Sequence, residues 1–334
     1  MSTYSNARSD VDPSNASRLA DEGAVREMYE AAPYPDLGAH LKDLSLYLRP
    51  IEPDLARRAK VRFLDAGCGT GHVLVGVAKR HPDWDCFGID LSDASLAVAK
   101  QLSDAHRAPV TVRRGSYVEP LPFDGRFDVV SAMGTIHHAA DPVAALRNLR
   151  HHMRDDGYLL LHLYGLRCDR RKFDIKEALS ILEPDLSAHT RRFDYYRSLM
   201  EHRRRDWIRR VATTTLADVY TKLRNLSRNA VRRGRGISWS PPFHDDYRTL
   251  NAPWIDHFCH PCERAYEVPE VHALLQAGGF RVERMLGQGK EDLRRIPAAW
   301  RERYGELGDW EKWRLTELMS EGGTSFALIA RPGT

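Results

Sequence analysis

The chain has 334 residues, 42% of them hydrophobic, and its 50 Lys and Arg against 46 Asp and Glu leave a formal charge of +4. That length and apolar content suit a globular protein with a sizeable core and exclude a disordered chain. No apolar run approaches the ~20 residues of a bilayer span, and five scattered cysteines form no disulfide framework.

Residues 1–20 are polar and lack the apolar stretch of a secretory signal, which predicts a flexible tail on a cytoplasmic protein with no membrane partner. Glu22 to Ala32 predicts a short helix stopped by Pro33 and Pro35, and Leu37 to Leu48 a second before Pro50. Strands and helices then alternate. Val61 to Asp65, Cys86 to Asp90, Val110 to Arg113, Phe127 to Ala132 and Tyr158 to Leu163 suit strands. Helices fall between them at Gly71 to Arg80, Ser92 to Ala105 (capped by Ser92) and Val143 to Met153. This alternation predicts a mainly parallel sheet with helices on both faces. After Tyr164 the rhythm breaks. Ile208, Val211, Thr215, Val219, Leu223 and Leu226 recur at helical spacing, beside Arg203, Arg204, Arg205, Arg209 and Arg210. Alternation resumes with helix Pro269 to Ala277, strand Phe280 to Leu286, a helical stretch around Ala298 to Met319, and strand Ser325 to Ala330. The expected organisation is an α/β core over 21–164 with N-terminal cap helices, a mostly helical insertion over 165–267, and completion of the core over 268–334.

Phe63-Leu64-Asp65-Ala66-Gly67-Cys68-Gly69-Thr70-Gly71-His72 runs an apolar strand into three alternating glycines and then a helix. Glycine reaches positive φ and presents no Cβ to a ligand lying against the backbone. The spacing is not that of a dinucleotide loop: the third glycine comes one residue early, and His72 stands in its place. Asp90, which ends the next strand, lies 25 residues after Asp65. A carboxylate there accepts both hydroxyls of a ribose. Together with Phe127-Asp128-Val129-Val130, with Ile136-His137-His138 before Asp141-Pro142, and with the turn at Gly157, these segments resemble the class I S-adenosylmethionine (SAM)-dependent methyltransferases. The resemblance covers Glu22 to Tyr164 and, more weakly, Pro269 to Arg331.

It implies a Rossmann-like, mainly parallel seven-stranded sheet with a helical insertion after the fifth strand, and SAM as cofactor. It implies a cofactor site of Asp65, Gly67, Cys68, Gly69, Gly71, Asp90, Leu91, Ser116, Met133 and His138, with Tyr29 and Tyr34 of the Tyr-Pro segment laid over it. Ser116 departs from the family, which often has an acidic residue there facing the adenine amino group; the serine hydroxyl or a backbone carbonyl would serve instead. Met133-Gly134-Thr135 lacks the acidic motif of the related aminopropyltransferases.

Methyl transfer needs an in-line nucleophile, and a hydroxyl or ammonium acceptor benefits from a base. His137, His138, His257, His260 and Asp256 are the candidates. Trp254 to Tyr266 combines aromatic walls with polar groups, as a small-molecule pocket does. His257 is its first choice for a base, with Asp256 beside it; His138 suits a pocket wall better than a base. Cys259-x-x-Cys262 has no second pair at zinc spacing, so no metal is expected. Gly165 to Gly236 carries 19 Lys and Arg against 9 Asp and Glu. The leading expectation is O- or N-methylation of a small organic metabolite. The alternatives are methylation of RNA or another macromolecule docked on that basic insertion, and a non-catalytic binding protein on the same fold.

Overall fold

In the computed structural model, residues 22–35, 40–212, 250–287, 293, 296–319 and 325–333 are described. By packing, the chain divides into two units. One combines residues 1–174 with 260–334, and the other is 175–259.

The first unit is built on β1 (Arg62–Ala66), β2 (Asp85–Asp90), β3 (Thr111–Arg114), β4 (Phe127–Met133), β5 (Met153–Leu163), β6 (Phe280–Met285) and β7 (Phe326–Pro332). They form one seven-stranded sheet in the order β3-β2-β1-β4-β5-β7-β6. Pairings from β3 to β5 are parallel, and β7 inserts antiparallel between β5 and β6. Successive strand residues point to opposite faces, so continuous apolar runs feed two cores. Leu64, Val130, Leu159 and Leu161 face one core, closed by α6 (Pro142–His151) and α10 (Val268–Ala277). Phe63, Val129, Tyr158 and Leu160 face the other, closed by α4 (His72–Arg80) and α5 (Asp93–His106). Burial on both faces is why these strands read as unbroken hydrophobic segments.

The Ser92 cap is present: its hydroxyl accepts from Ser95 N at 3.0 Å. Two elements differ from their sequence pattern. Of the helix expected over Leu37 to Leu48, residues 37–39 lie outside the described residues, and from His40 onward only the turn α2 (Ser45–Leu48) is helical, because Leu44 adopts φ +52° and Lys42 N donates instead to His72 O at 3.0 Å. The stretch Arg154 to Gly157, which has the pattern of the turn into the fifth strand, is strand. Phe127 pairs with Met153, with a register irregularity before Val129 that lets β5 start early.

In the second unit, the last turns of α7 (Leu166–Leu182) pack with α8 (His189–Ala212) and α9 (Ala252–Cys259) around Ile175, Leu179, Tyr196, Trp254 and Phe258. Arg192 is fully buried there. It donates to the carbonyls of Glu183 and Phe258, the bonds a buried guanidinium requires. Of the predicted helical stripe, Ile208 and Val211 lie on α8, while Thr215 to Leu226 fall outside the described residues.

Candidate functional site

In a parallel sheet the strand carboxyl ends form the ligand-binding edge. Here the glycine loop follows β1. Gly67, Gly69 and Gly71 have φ of +77°, +51° and +84°, the left-handed region that penalises any Cβ. Space demands glycine as well: a Cβ would lie 2.4 Å from Thr135 Cγ2 at Gly67, 2.4 Å from Tyr34 O at Gly69 and 2.8 Å from Ala99 Cβ at Gly71. Gly67 N and Cys68 N both donate to Ile89 O, at 2.9 and 2.8 Å, which folds the loop against the end of β2.

Asp90 stands at that end. Its Oδ2 accepts from Gly69 N at 2.8 Å and its Oδ1 from Ser92 N at 3.0 Å. The carboxylate is thereby oriented by the loop it serves. Burial raises its pKa, and the Ser92 and Gly69 amides oppose the rise. Asp65 sits deeper, almost without exposure. Burial lifts its pKa to about 7, opposed by the Ser131 hydroxyl and the Leu74 amide and reinforced by Asp90. Asp65 is buried within β1, whereas Asp90 is the half-buried carboxylate at the edge.

The N-terminal segment covers this edge from above. Thr70 N donates to Tyr34 O at 3.2 Å and Thr70 Oγ1 to Pro35 O at 2.7 Å. Ser92 Oγ donates to Tyr29 O at 3.2 Å. Glu30 accepts from Asp93 N at 2.6 Å and Ala94 N at 3.2 Å, placing negative charge at the start of α5. Tyr29, Tyr34, Leu91 and Met133 are half-buried around the loop, and Cys68 is a buried free thiol. At Gly134, just past β4, a Cβ would meet nothing within 4 Å. Ser116 is buried, donating to Glu22 Oε1 at 2.8 Å and accepting from Val118 N at 3.1 Å.

Beside the loop, a short 3-10 turn (Ile136–His138) carries two buried histidines. His138 Nδ1 lies 2.9 Å from Cys262 O, and Cys262 N donates to His260 Nδ1 at 3.1 Å. The two rings stack with centroids 3.7 Å apart. A carbonyl only accepts and an amide only donates, so Cys262 fixes the two Nδ1 atoms oppositely: that of His138 carries a proton and that of His260 a lone pair. Tyr29 meets the His260 ring edge-on at 5.8 Å. Neighbouring His137 is fully buried against Tyr164, with ring centroids 4.0 Å apart. Burial above all, with His138, His162, Lys172 and His260 close by, holds its pKa well below the ordinary value, so it is neutral. Lys172 and Glu263 form a buried ion pair, with Lys172 Nζ 3.7 Å over the Tyr164 ring.

The segment from His260 to Tyr266 is pinned along this edge. Arg264 N donates to His137 O at 3.0 Å, and its guanidinium to Ala139 O and Ala140 O at 3.3 and 3.1 Å. Tyr266 N donates to Tyr164 O at 2.9 Å, and Leu166 N to Tyr266 O at 2.8 Å. The half of Trp254 to Tyr266 that follows Cys259 therefore lines the carboxyl edge. Asp256, buried, and His257, half-buried and edge-on to Phe258 at 4.8 Å, belong to α9 of the second unit. The sequence offers His260 as one of several candidate bases, and it carries no sign of Glu22 or of the Lys172–Glu263 pair. Those pairings join distant segments and leave no periodic trace.

Residues 64–159 match a methyltransferase domain. The chain is 24% identical over 328 residues to an uncharacterized Synechococcus protein, covering 92% of this chain and 70% of that one. It is 31% identical over 120 residues to a malonyl-[acyl-carrier protein] O-methyltransferase of Bacillus cytotoxicus, covering 36% of this chain and 41% of the relative. The fold resembles PKMT2 of Rickettsia typhi, solved in complex with AdoHcy, at a TM-score of 0.56 and 14% identity, over 81% of this chain and 48% of that one. Against these last two, the chain spans under half of the relative's own length. The glycine cradle that any Cβ would fill, and the carboxylate held at its rim, fit a nucleoside with a slender tail. With that geometry, residues 64–159 form a methyltransferase domain, and the chain resembles the class I SAM-dependent methyltransferases, enzymes whose cofactor is S-adenosyl-L-methionine.

Proposed function

We propose that the protein methylates an oxygen or nitrogen of a small organic molecule, and that it acts in the cytoplasm. When bound, SAM supplies an electrophilic methyl group on its sulfonium. The glycine-loop backbone receives the cofactor's tail, Asp90 takes the ribose hydroxyls, and Tyr29 and Tyr34 exclude water from above. The observation that carries the reading is the stacked histidine pair that Cys262 holds beside that loop. An acceptor heteroatom becomes more acidic as it gains the methyl group, and its proton needs a destination. In this reading a neutral His138, its Nδ1 proton engaged by Cys262 O, accepts the acceptor's proton on Nε2 and keeps its Nδ1–H bond to Cys262. Asp256 and His257 remain proposed catalytic groups of the second unit.

The test is SAH release with panels of phenols, carboxylic acids and amines, followed by variants on the best acceptor. His138→Ala should lower kcat by roughly 10²-fold, the order of a lost general base, with SAH affinity nearly unchanged. His257→Ala should lower kcat in the same pattern. Turnover confined to RNA or protein acceptors would overturn the small-molecule reading. Full activity in His138→Ala would remove that residue as the base, and full activity in His257→Ala would do the same for His257.

A further inference from the structure

The end of β3 poses a recognition problem. Strand order places β3 beside β2 and β2 beside β1. A nucleoside whose tail lies in the loop after β1, and whose ribose engages Asp90 after β2, extends its base over the end of β3. Ser116 stands there, and its hydroxyl proton is already given to Glu22 Oε1. A lone pair of the same oxygen is taken by Val118 N. A purine amino group is a donor and needs an acceptor, and a carboxylate is a stronger acceptor than a hydroxyl.

The structure brings one in from another element. Glu22 opens α1 (Glu22–Ala31), which is laid along the cofactor edge by the Tyr29 and Glu30 contacts with Ser92, Asp93 and Ala94. Ser116 holds Oε1 and so orients the carboxylate; among the described residues no donor is bonded to Oε2. Tyr117, next to Ser116, feels both Asp90 and Glu22, whose negative charges add to burial in raising its pKa.

We infer that Glu22 reads the adenine amino group of the cofactor, with Ser116 as its positioning residue, so that base recognition comes from the N-terminal helix and not from the strand end. The inference rests on the cofactor assignment and is independent of the methyl acceptor.

The experiment is calorimetric titration of the full chain with S-adenosylhomocysteine and with S-inosylhomocysteine, whose 6-position is a carbonyl acceptor. The carbonyl would face a carboxylate and repel it. The wild type should prefer the adenine nucleoside by roughly ten- to hundredfold, the range of a hydrogen bond to a charged group. Glu22→Ala and Glu22→Gln should each bind it about tenfold more weakly while binding the inosine analogue within about twofold of wild type, so the preference collapses. Glu22→Gln keeps an acceptor for Ser116, and its melting midpoint reports whether the fold is retained. Equal losses for both nucleosides, with the preference kept, would make Glu22 a structural tether and overturn the inference alone. A wild type that binds neither nucleoside would overturn the cofactor assignment, and the inference with it.

Discussion

Two glycines separate strain from crowding at single residues. Gly69 and Gly134 both adopt positive φ, +51° and +79°. At Gly69 a Cβ would lie 2.4 Å from the Tyr34 carbonyl, a backbone atom that cannot swing aside; at Gly134 it would meet nothing within 4 Å. Gly134→Ala should therefore cost only the conformational term of about 1 kcal/mol. Gly69→Ala should cost more and also push the Tyr34–Pro35 segment off the loop, weakening S-adenosylhomocysteine binding at least tenfold. Melting curves and calorimetry on the two variants check this, and similar losses in both would refute the crowding argument. Asp65 adds a pH signature. Its folded-state pKa of about 7 lies above the ordinary carboxylate value, so the folded state holds a proton that the unfolded chain releases. Stability should fall as pH rises between the two values, by at most about 1.4 kcal/mol per pH unit. Asp65→Asn should flatten that slope in melts taken from pH 4.5 to 7; an unchanged slope would show the carboxyl is not buried in this way.

The same contrast between local and distant causes appears among the elements. The glycine loop, Asp90 and the Ser92 cap were legible in the sequence because each depends on neighbours within a strand–turn–helix unit. The strands were legible because burial on both faces leaves unbroken apolar runs. The histidine pair was not: His138 and Cys262 lie 124 positions apart, and the roles of the two Nδ1 atoms depend on a backbone carbonyl and amide that no side-chain pattern encodes. The segment His260 to Tyr266 holds that geometry, and Arg264 clamps it to the turn beneath through two carbonyls. The Arg264 guanidinium bonds to backbone carbonyls and is a positioning group, acting on His260 and, through Cys262, on His138. Arg264→Ala should lower kcat several-fold and broaden or displace the acidic limb of the kcat–pH profile, where a general base is lost to protonation, with the affinity for S-adenosylhomocysteine kept. Arg264→Lys, which reaches one carbonyl at most, should fall between. A loss of stability with an unaltered pH profile would assign the arginine to packing alone.

At the scale of the whole molecule the strongest sequence signal left over is charge. Gly165 to Gly236 carries an excess of ten positive charges, 19 against 9, while the chain as a whole is only +4. A count of that kind suggests a polyanion, since phosphate contacts are made by solvated cations free to exchange their counterions. The described basic residues of this region are largely committed elsewhere. Lys172 is buried against Glu263, and Arg192 is buried on two carbonyls. Arg191 pairs with Glu183 at 2.6 Å, Arg197 with Asp194 at 3.0 Å and Arg167 with Glu267 at 3.3 Å. Exposed pairs of this kind contribute little stability, but each carboxylate cancels a charge that a phosphate would have to win. Composition could not show this, because formal charge counts a buried or paired arginine like a solvated one. The side chains of residues 206–249, including Arg209 and Arg210, lie outside the described residues, so the prediction is tested on the intact protein. RNA should show no micromolar binding at physiological salt, and methyl transfer to the best small acceptor should change little as salt rises. A complex with RNA that weakens steeply with salt, and is abolished by replacing Arg203, Arg204 and Arg205 with Ala, would reverse the conclusion, because only counterion release from a docked backbone gives that pair of responses.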